Sequence, residues 1–232
     1  MLDLAFYTYY FGNENNRNIP PVPSSIYDCY YYTNNKQLFS KLQGTKWITI
    51  FVDKTTVDET NESNMFGKYI KSCPDKYDEL KKYDYLCFFD DKINTTNEKK
   101  VEEFIHKYCI EQNYAFLIKE HCFLKHSVYN EFKESMNQAR YRLEANRYLK
   151  YIQNQKNNGL SDITEKHCQT GFIIRNMRHS KIDLIDHTWY SHIQECGIQC
   201  QIAFFFVKQL FNPEDIYILS TKECRDVTSL VN

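Results

Sequence analysis

The chain alternates between short apolar runs and longer stretches in which apolar residues recur every three or four positions. Residues 2–11 are a strongly aromatic run that stops at the turn pair Gly12-Asn13, and they read as a first strand. Residues 13–25 read as a loop, because Pro20, Pro21 and Pro23 cannot join a ladder of backbone hydrogen bonds. Further strands are expected at 26–33, 47–52, 83–89, 114–118, 170–174 and 216–219. The clearest of these runs are continuous rather than alternating, the pattern of strands covered on both faces.

Helical period takes over between them. Residues 97–112 place Val101, Phe104, Ile105, Tyr108 and Cys109 on one face, with Asn97 or Thr96 as the cap. Glu98, Glu102 and Glu103 lie near the positive end of that helix dipole. Residues 127–158 form a long helical stretch stopped by Gly159, and 182–195 form another. Residues 202–211 fit a helix or a strand equally. Strands alternating with helices predict an α/β fold with a mostly parallel central sheet flanked by helices. No internal repeat and no linker rich in Gly, Ser or Pro divides residues 1–232, so a single domain is expected.

Hydrophobic residues make up 42% of the chain and charged residues 25%, ordinary globular usage with enough apolar surface for a core. The excess is aromatic, 19 Tyr and 16 Phe against 6 Gly. Tyr offers stacking faces for bases and sugars; the plainer cause is AT-rich coding, which raises Lys, Asn, Tyr and Phe together. A net charge of −1 speaks against a binder of nucleic-acid backbone. Nine Cys include no Cys-x-x-Cys pair, so free thiols in a reducing compartment are expected rather than a zinc ribbon. The N-terminus carries no basic segment followed by a long apolar one, and no apolar stretch approaches the ~20 residues that span a bilayer. A cytoplasmic chain without a membrane span is the expectation, and the sequons at Asn61 and Asn94 matter only on a secretory route.

Ligands in open α/β sheets bind at the carboxyl ends of strands, and three ends carry candidate chemistry. Tyr7-Thr8-Tyr9-Tyr10-Phe11-Gly12-Asn13 could hold a base and ribose, or be a surface turn. Asp90 and Asp91 form a hard-oxygen pair for Mg²⁺ or Mn²⁺ on a diphosphate, or simply end the strand with turn chemistry. The run 171–174 delivers Arg175, suited to phosphate or to an ion pair. The seven His include no His-Glu-x-x-His, and the five-residue spacings of His121 with His126 and His187 with His192 suit no metal. Gly-x-Ser-x-Gly, P-loop and Gly-x-Gly-x-x-Gly motifs are absent, and nothing singles out a nucleophilic Cys. No Gly-rich basic loop follows the first strand, which speaks against a nucleotidyltransferase.

Six blocks, in order, resemble a GT-A-fold glycosyltransferase-like family with plant, bacterial and large-DNA-virus members, formerly a domain of unknown function. They are Tyr7-Thr8-Tyr9-Tyr10-Phe11-Gly12; Lys71 to Pro74; Tyr83-Asp84-Tyr85 to Asp90; His121-Cys122 with Val128-Tyr129-Asn130-Glu131; Gly159-Leu160 with Thr170 to Arg175; and Trp189 with Gln199-Cys200-Gln201. The resemblance spans residues 4–211 and implies a nucleotide-diphosphate-sugar donor, UDP-linked, with Mn²⁺ or Mg²⁺ at Asp90 and Asp91. It implies that Tyr7, Thr8, Tyr10 and Gly12 line the nucleotide pocket, and that Lys71 and Arg175 face phosphates or sugar. His121, Trp189 and Gln201 would face the sugar or the acceptor, a hydroxyl of a glycan or glycoprotein. The composition adds the expectation of a giant-virus source, which would place the chain in host cytoplasm or virion.

Two departures shape this reading. The family's Asp-x-Asp reads Asp90-Asp91-Lys92, so Lys92 can itself neutralise phosphate. The family's Arg-Asp-Gln reads Gln199-Cys200-Gln201, which removes a carboxylate that could serve as base; Asp183, Asp186 and Glu195 are nearby alternatives. Two functions therefore stand: a metal-dependent hexosyltransferase, or a catalytically degenerate module of the same fold that binds sugar or nucleotide without turnover.

Overall fold

The aromatic run near the N-terminus and the run that ends at Asp90 lie side by side at the centre of a seven-stranded sheet. The computed structural model describes residues 1–14, 17–53, 61–225 and 227–230, without the side chains of 93–96 and 228–230. The first half of the chain gives β1 (Leu4–Tyr10), β2 (Asp28–Thr33), α1 (Lys36–Leu42), β3 (Ile48–Phe51), α2 (Asn61–Ser72), β4 (Tyr85–Phe89), β5 (Ile93–Thr96), α3 (Glu98–Phe104) and β6 (Phe116–Glu120). The second half gives α4 (Val128–Ser135), α5 (Ala139–Arg142), α6 (Ala145–Asn157), β7 (Cys168–Asn176), α7 (Ile182–Cys196), α8 (Cys200–Val207), β8 (Ile216–Leu219) and β9 (Thr228–Leu230).

The sheet order is β3-β2-β1-β4-β7-β6-β8, and β5 pairs with β9 in a separate ribbon. Within the large sheet β7 alone runs against its neighbours β4 and β6; every other adjacent pair is parallel. The mostly parallel α/β sheet expected from sequence is thus present, with one reversed strand. Both faces are buried. Ala5, Tyr7, Leu86, Phe88 and Ile173 pack under α2, α6, α7 and α8, while Phe6, Cys87, Phe89, Phe172 and Ile174 pack under α1 and α3. Two buried faces explain why these strands read as continuous apolar runs.

Local chemistry accounts for several boundaries. Asn97 caps α3 by accepting from the Lys100 N–H, and Gly159 follows α6 with φ 88°, a conformation that costs a glycine little. Beyond Phe104 the α3 helix continues as a π-helical segment, Ile105–Ile110. Of the undecided run 202–211, residues 202–207 belong to α8 and are apolar all round because they are buried all round, and Lys208–Leu210 follow as a 3₁₀ turn.

The helices depart from the sequence reading in two ways. Helices α1 and α2 carry no long apolar stripe and were not expected. Helix α2 tolerates Gly67 because the Tyr9 ring lies against it: a Cβ there would sit 2.1 Å from the ring. The long helix expected over 127–158 is three helices, although no Gly or Pro breaks it. Glu144, just before α6, turns its carboxylate to accept from the Ile198 N–H and the Tyr148 hydroxyl, so a tertiary contact sets that break.

The reversal of β7 also decides where Arg175 goes. Arg175 pairs with Leu86 near the start of β4, at the edge of the sheet opposite Asp90, and is wholly buried. Its Nε donates to both carboxylate oxygens of Asp186 at 2.9 and 2.8 Å, its Nη1 to the Tyr7 hydroxyl at 2.8 Å, and its Nη2 to the Lys71 carbonyl at 2.6 Å. Burial pushes the Asp186 carboxyl up to about 6 even beside that guanidinium. Arg175→Leu strands Asp186 without a cation and is expected to destabilise the fold by about 3–5 kcal/mol in urea titration. The double change Arg175→Leu with Asp186→Leu should recover much of that loss. An unaltered midpoint in the single variant would refute the structural weight given to this pair.

Candidate functional site

At the carboxyl edge of β1 and β4 the sheet opens into a cleft of about 800 Å³. The end of β1 supplies Tyr10, Phe11 and Gly12, and the end of β4 supplies Asp90, Asp91 and Lys92. Because β7 is reversed, its beginning faces this edge: the Asp90 N–H donates to the Gly171 carbonyl at 2.9 Å, and Thr170 lines the cleft beside it. Helix α2 contributes Lys68 and Lys71, His121 follows the end of β6, and α4 and α8 bring Glu131 and Cys200.

Charge is concentrated around the two aspartates. Lys71 Nζ is 3.3 Å from Asp90 Oδ1 and donates to Thr170 Oγ1 at 3.3 Å, with its side chain almost fully buried. Desolvation works to raise the Asp90 carboxyl, but Lys71, Lys68 and Lys92 outweigh it and hold that carboxyl below its ordinary value. The Asp90 side chain is nevertheless 47% exposed, an ionised group open to the cleft. Asp91 differs: Arg17 Nε donates to its Oδ2 at 2.6 Å, and desolvation leaves its carboxyl above the ordinary value despite Arg17. The Arg17 guanidinium lies 3.9 Å from the centre of the Tyr10 ring. Lys68, Lys71, Lys92 and Arg17 thus stand against two carboxylates, an arrangement suited to a polyanion with several phosphate oxygens.

The opposite wall is a buried polar chain. Glu131, 2% exposed, shares Oε2 with His167 Nε2 at 2.8 Å and accepts from Gln199 Nε2 on Oε1 at 2.9 Å. His121 stacks on His167 with ring centres 5.5 Å apart. The His121 Nδ1 accepts from the Phe123 and Leu124 N–H groups, which assigns the proton to Nε2. Cys200 begins α8 with its Sγ 3.2 Å from Thr170 Oγ1; burial opposes ionisation, but Lys68 and Lys71 draw the thiol below its ordinary value.

Of the residues expected from sequence, Asp90, Asp91, Tyr10, Gly12, Lys71, Lys92, His121 and Gln201 line this one cleft. Tyr7, Thr8, Arg175 and Trp189 do not. Tyr7 and Thr8 lie upstream of the strand end and are closed inside the sheet, Arg175 sits at the far edge, and Trp189 packs in the core and donates to the Cys200 carbonyl at 3.1 Å. None of Asp183, Asp186 and Glu195 borders the cleft. Sequence reasoning missed Lys68, Arg17, His167 and Glu131 as site residues. Only Glu131 carried a signal, as the last residue of the Val128-Tyr129-Asn130-Glu131 block.

No family model matches the sequence, and no curated protein matches it. Among solved structures the chain is similar to mouse xyloside xylosyltransferase 1 in its apo form, at 9% identity over 92% of this chain and 84% of that one, with a TM-score of 0.53. The two chains share a GT-A-like mixed α/β fold. A second similarity, to the bifunctional glycosyltransferase WbbM in its apo form, has 11% identity and a TM-score of 0.47; it covers 93% of this chain and 38% of that protein. Among the described residues no helix is long and apolar enough to cross a membrane.

Burial lowers the His121 pKa below the ordinary 6.5, so the neutral ring is favoured in the folded state. Its contribution to stability is full above about 6.5 and is lost as pH falls through the lowered value. His121→Gln is therefore expected to flatten the acid-side fall in thermal midpoint between about pH 7 and 5. His192, lowered by burial in the same direction, retains its part. An equally steep fall in the variant would show that His121 carries none of it.

Proposed function

We propose that this chain transfers a sugar from a nucleoside-diphosphate donor, UDP-linked, to a hydroxyl of a glycan or glycoprotein. The observation that carries the reading is the ionised, half-exposed Asp90 among Lys68, Lys71 and Lys92 at the carboxyl edge of a glycosyltransferase-like sheet. In this reading Lys68 and Lys92 hold the diphosphate oxygens, and their charge offsets the charge that develops as the nucleotide leaves. Lys71, fixed between Asp90 and Thr170, keeps the Asp90 carboxylate in place. Tyr10 lines the cleft with Arg17 over one face of its ring, and in this reading the ring takes the base.

Asp90 also fits the cation that the resemblance implies. Mg²⁺ and Mn²⁺ take hard oxygen donors, often one or two carboxylates with phosphate and water completing the shell. Asp91 fits less well, because its side chain is 11% exposed against 47% for Asp90 and Arg17 holds its Oδ2 at closer range than Lys71 holds Asp90. Bound there, such an ion would neutralise the leaving diphosphate.

On the acceptor side His121 lines the cleft with its proton on Nε2, and in this reading that N–H donates to a sugar hydroxyl. Two carboxylates of α4 line the cleft, Glu131 and Glu134; Glu131 is the one oriented by His167 and Gln199, and in this reading it is the general base for the attacking hydroxyl.

The binding-module alternative rests on one observation: Asp91 and Glu131 are both committed to partners within the protein. A thermal-shift titration with UDP-sugars, with and without Mn²⁺, followed by a donor-consumption assay separates the two. Donor-dependent stabilisation with turnover supports the transferase; stabilisation without turnover supports the module; neither would overturn both. Asp90→Ala is expected to lower kcat/KM by about 100-fold or more with the fold intact, and Lys68→Met to raise the donor KM chiefly. EDTA should suppress turnover and added Mn²⁺ restore it, whereas full turnover in EDTA would assign the neutralisation to the lysines.

A further inference from the structure

Away from the cleft, the chain brings together three side chains that its spacing keeps apart. Helix α2 ends at Ser72, and Cys73 leads into the 3₁₀ turn Pro74–Lys76, whose proline fixes the backbone between Cys73 and Asp75. The turn packs beside His187 on α7. One ligand atom from each of Cys73, Asp75 and His187 lies within 4.8 Å of the other two, the sole such trio of His, Cys, Asp or Glu among the described residues. His187 Nε2 is 3.0 Å from Asp75 Oδ2. The second oxygen, Asp75 Oδ1, is buried and has no hydrogen-bond partner. A buried acceptor left without a donor is uncommon in folded proteins and calls for an explanation.

We propose that Cys73, Asp75 and His187 bind a zinc-class divalent cation at the junction of α2 and α7. A sulfur, an imidazole nitrogen and a carboxylate oxygen are the donors that Zn²⁺ takes, whereas Mg²⁺ and Ca²⁺ take oxygen alone. Tetrahedral bonds of about 2.3 Å to sulfur and 2.0–2.2 Å to nitrogen and oxygen put ligand atoms about 3.5 Å apart. The longest pair, within 4.8 Å, must close by at most about 1.3 Å and the His187–Asp75 pair must open by about 0.5 Å, shifts within reach of small rotations of these side chains. His187, with its side chain 42% exposed, leaves the site open to solvent and to a water as fourth ligand. Lys76, whose Nζ lies 2.7 Å from Asp75 Oδ2, is a half-exposed cation that swings into water when the metal takes its place. Coordination releases the thiol proton of Cys73 to solvent, so the affinity rises with pH.

The consequence is structural. Cys73 follows Lys71 by two residues, and His187 follows Asp186 by one, so the cation clamps from outside the same junction that Arg175 ties from inside. None of the three ligands borders the cleft, and the inference stands independently of the transferase reading.

The test uses the whole chain, stripped of metal and titrated with Zn²⁺ alone by calorimetry, then with Co²⁺ as a spectroscopic probe. One equivalent of Zn²⁺, a raised thermal midpoint and a thiolate-to-Co²⁺ charge-transfer band in the near ultraviolet are expected. His187→Gln, at a half-exposed position that spares the core, and Asp75→Asn should each weaken Zn²⁺ binding by about 100-fold or more, beyond the cost of losing a group that only orients a ligand. Cys73→Ser should abolish the band, while Cys122→Ser, at the exposed thiol, keeps it. No Zn²⁺ binding by the unaltered chain would overturn the proposal. So would binding and a band that survive in His187→Gln and Asp75→Asn, which would place the metal on other thiols.

Discussion

A guanidinium closed off from water ties this fold together. Arg175 comes from β7, its carboxylate partner Asp186 from α7, and its other acceptors are the Tyr7 hydroxyl on β1 and the Lys71 carbonyl at the end of α2. Two charges taken out of water are tolerable only where the geometry is good and the donors are satisfied, and here all three guanidinium nitrogens find acceptors. That requirement fixes the relative placement of four elements at once. It reaches the cleft through Lys71, whose carbonyl serves Arg175 while its Nζ lies against Asp90. A core ion pair and a surface charge cluster are thus joined by one lysine.

The reversed strand β7 is the second constraint. In a wholly parallel sheet Arg175 would emerge at the ligand edge, the place where a guanidinium would meet phosphate. Running the other way, β7 sends Arg175 into the core and turns its beginning, Thr170 and Gly171, toward Asp90. Small residues there leave room for the cleft, and the start of α8 with Cys200 fills in behind Thr170. The cations that gather at the edge come instead from a loop (Arg17), a helix (Lys68 and Lys71) and the residue after the aspartates (Lys92). Likeness to a xylosyltransferase at 9% identity conveys the frame and not these side chains.

The sequence by itself determined the sheet. Apolar runs such as 85–89 must be buried on both faces, so the strand positions and the mostly parallel α/β architecture followed from the pattern. It also determined features that depend on near neighbours: the Asn97 cap, the stop at Gly159, and Asp90 with Asp91 at a strand's carboxyl end. Only the tertiary structure decided the rest. The direction of β7 is invisible in a run of apolar residues, because both directions bury the same side chains. The break before α6 depends on Glu144 meeting Ile198, the place of Gly67 on Tyr9, and Cys73, Asp75 and His187 converge across more than a hundred residues. Periodicity records which side of an element faces the core; which distant residue waits there is set by how the elements pack.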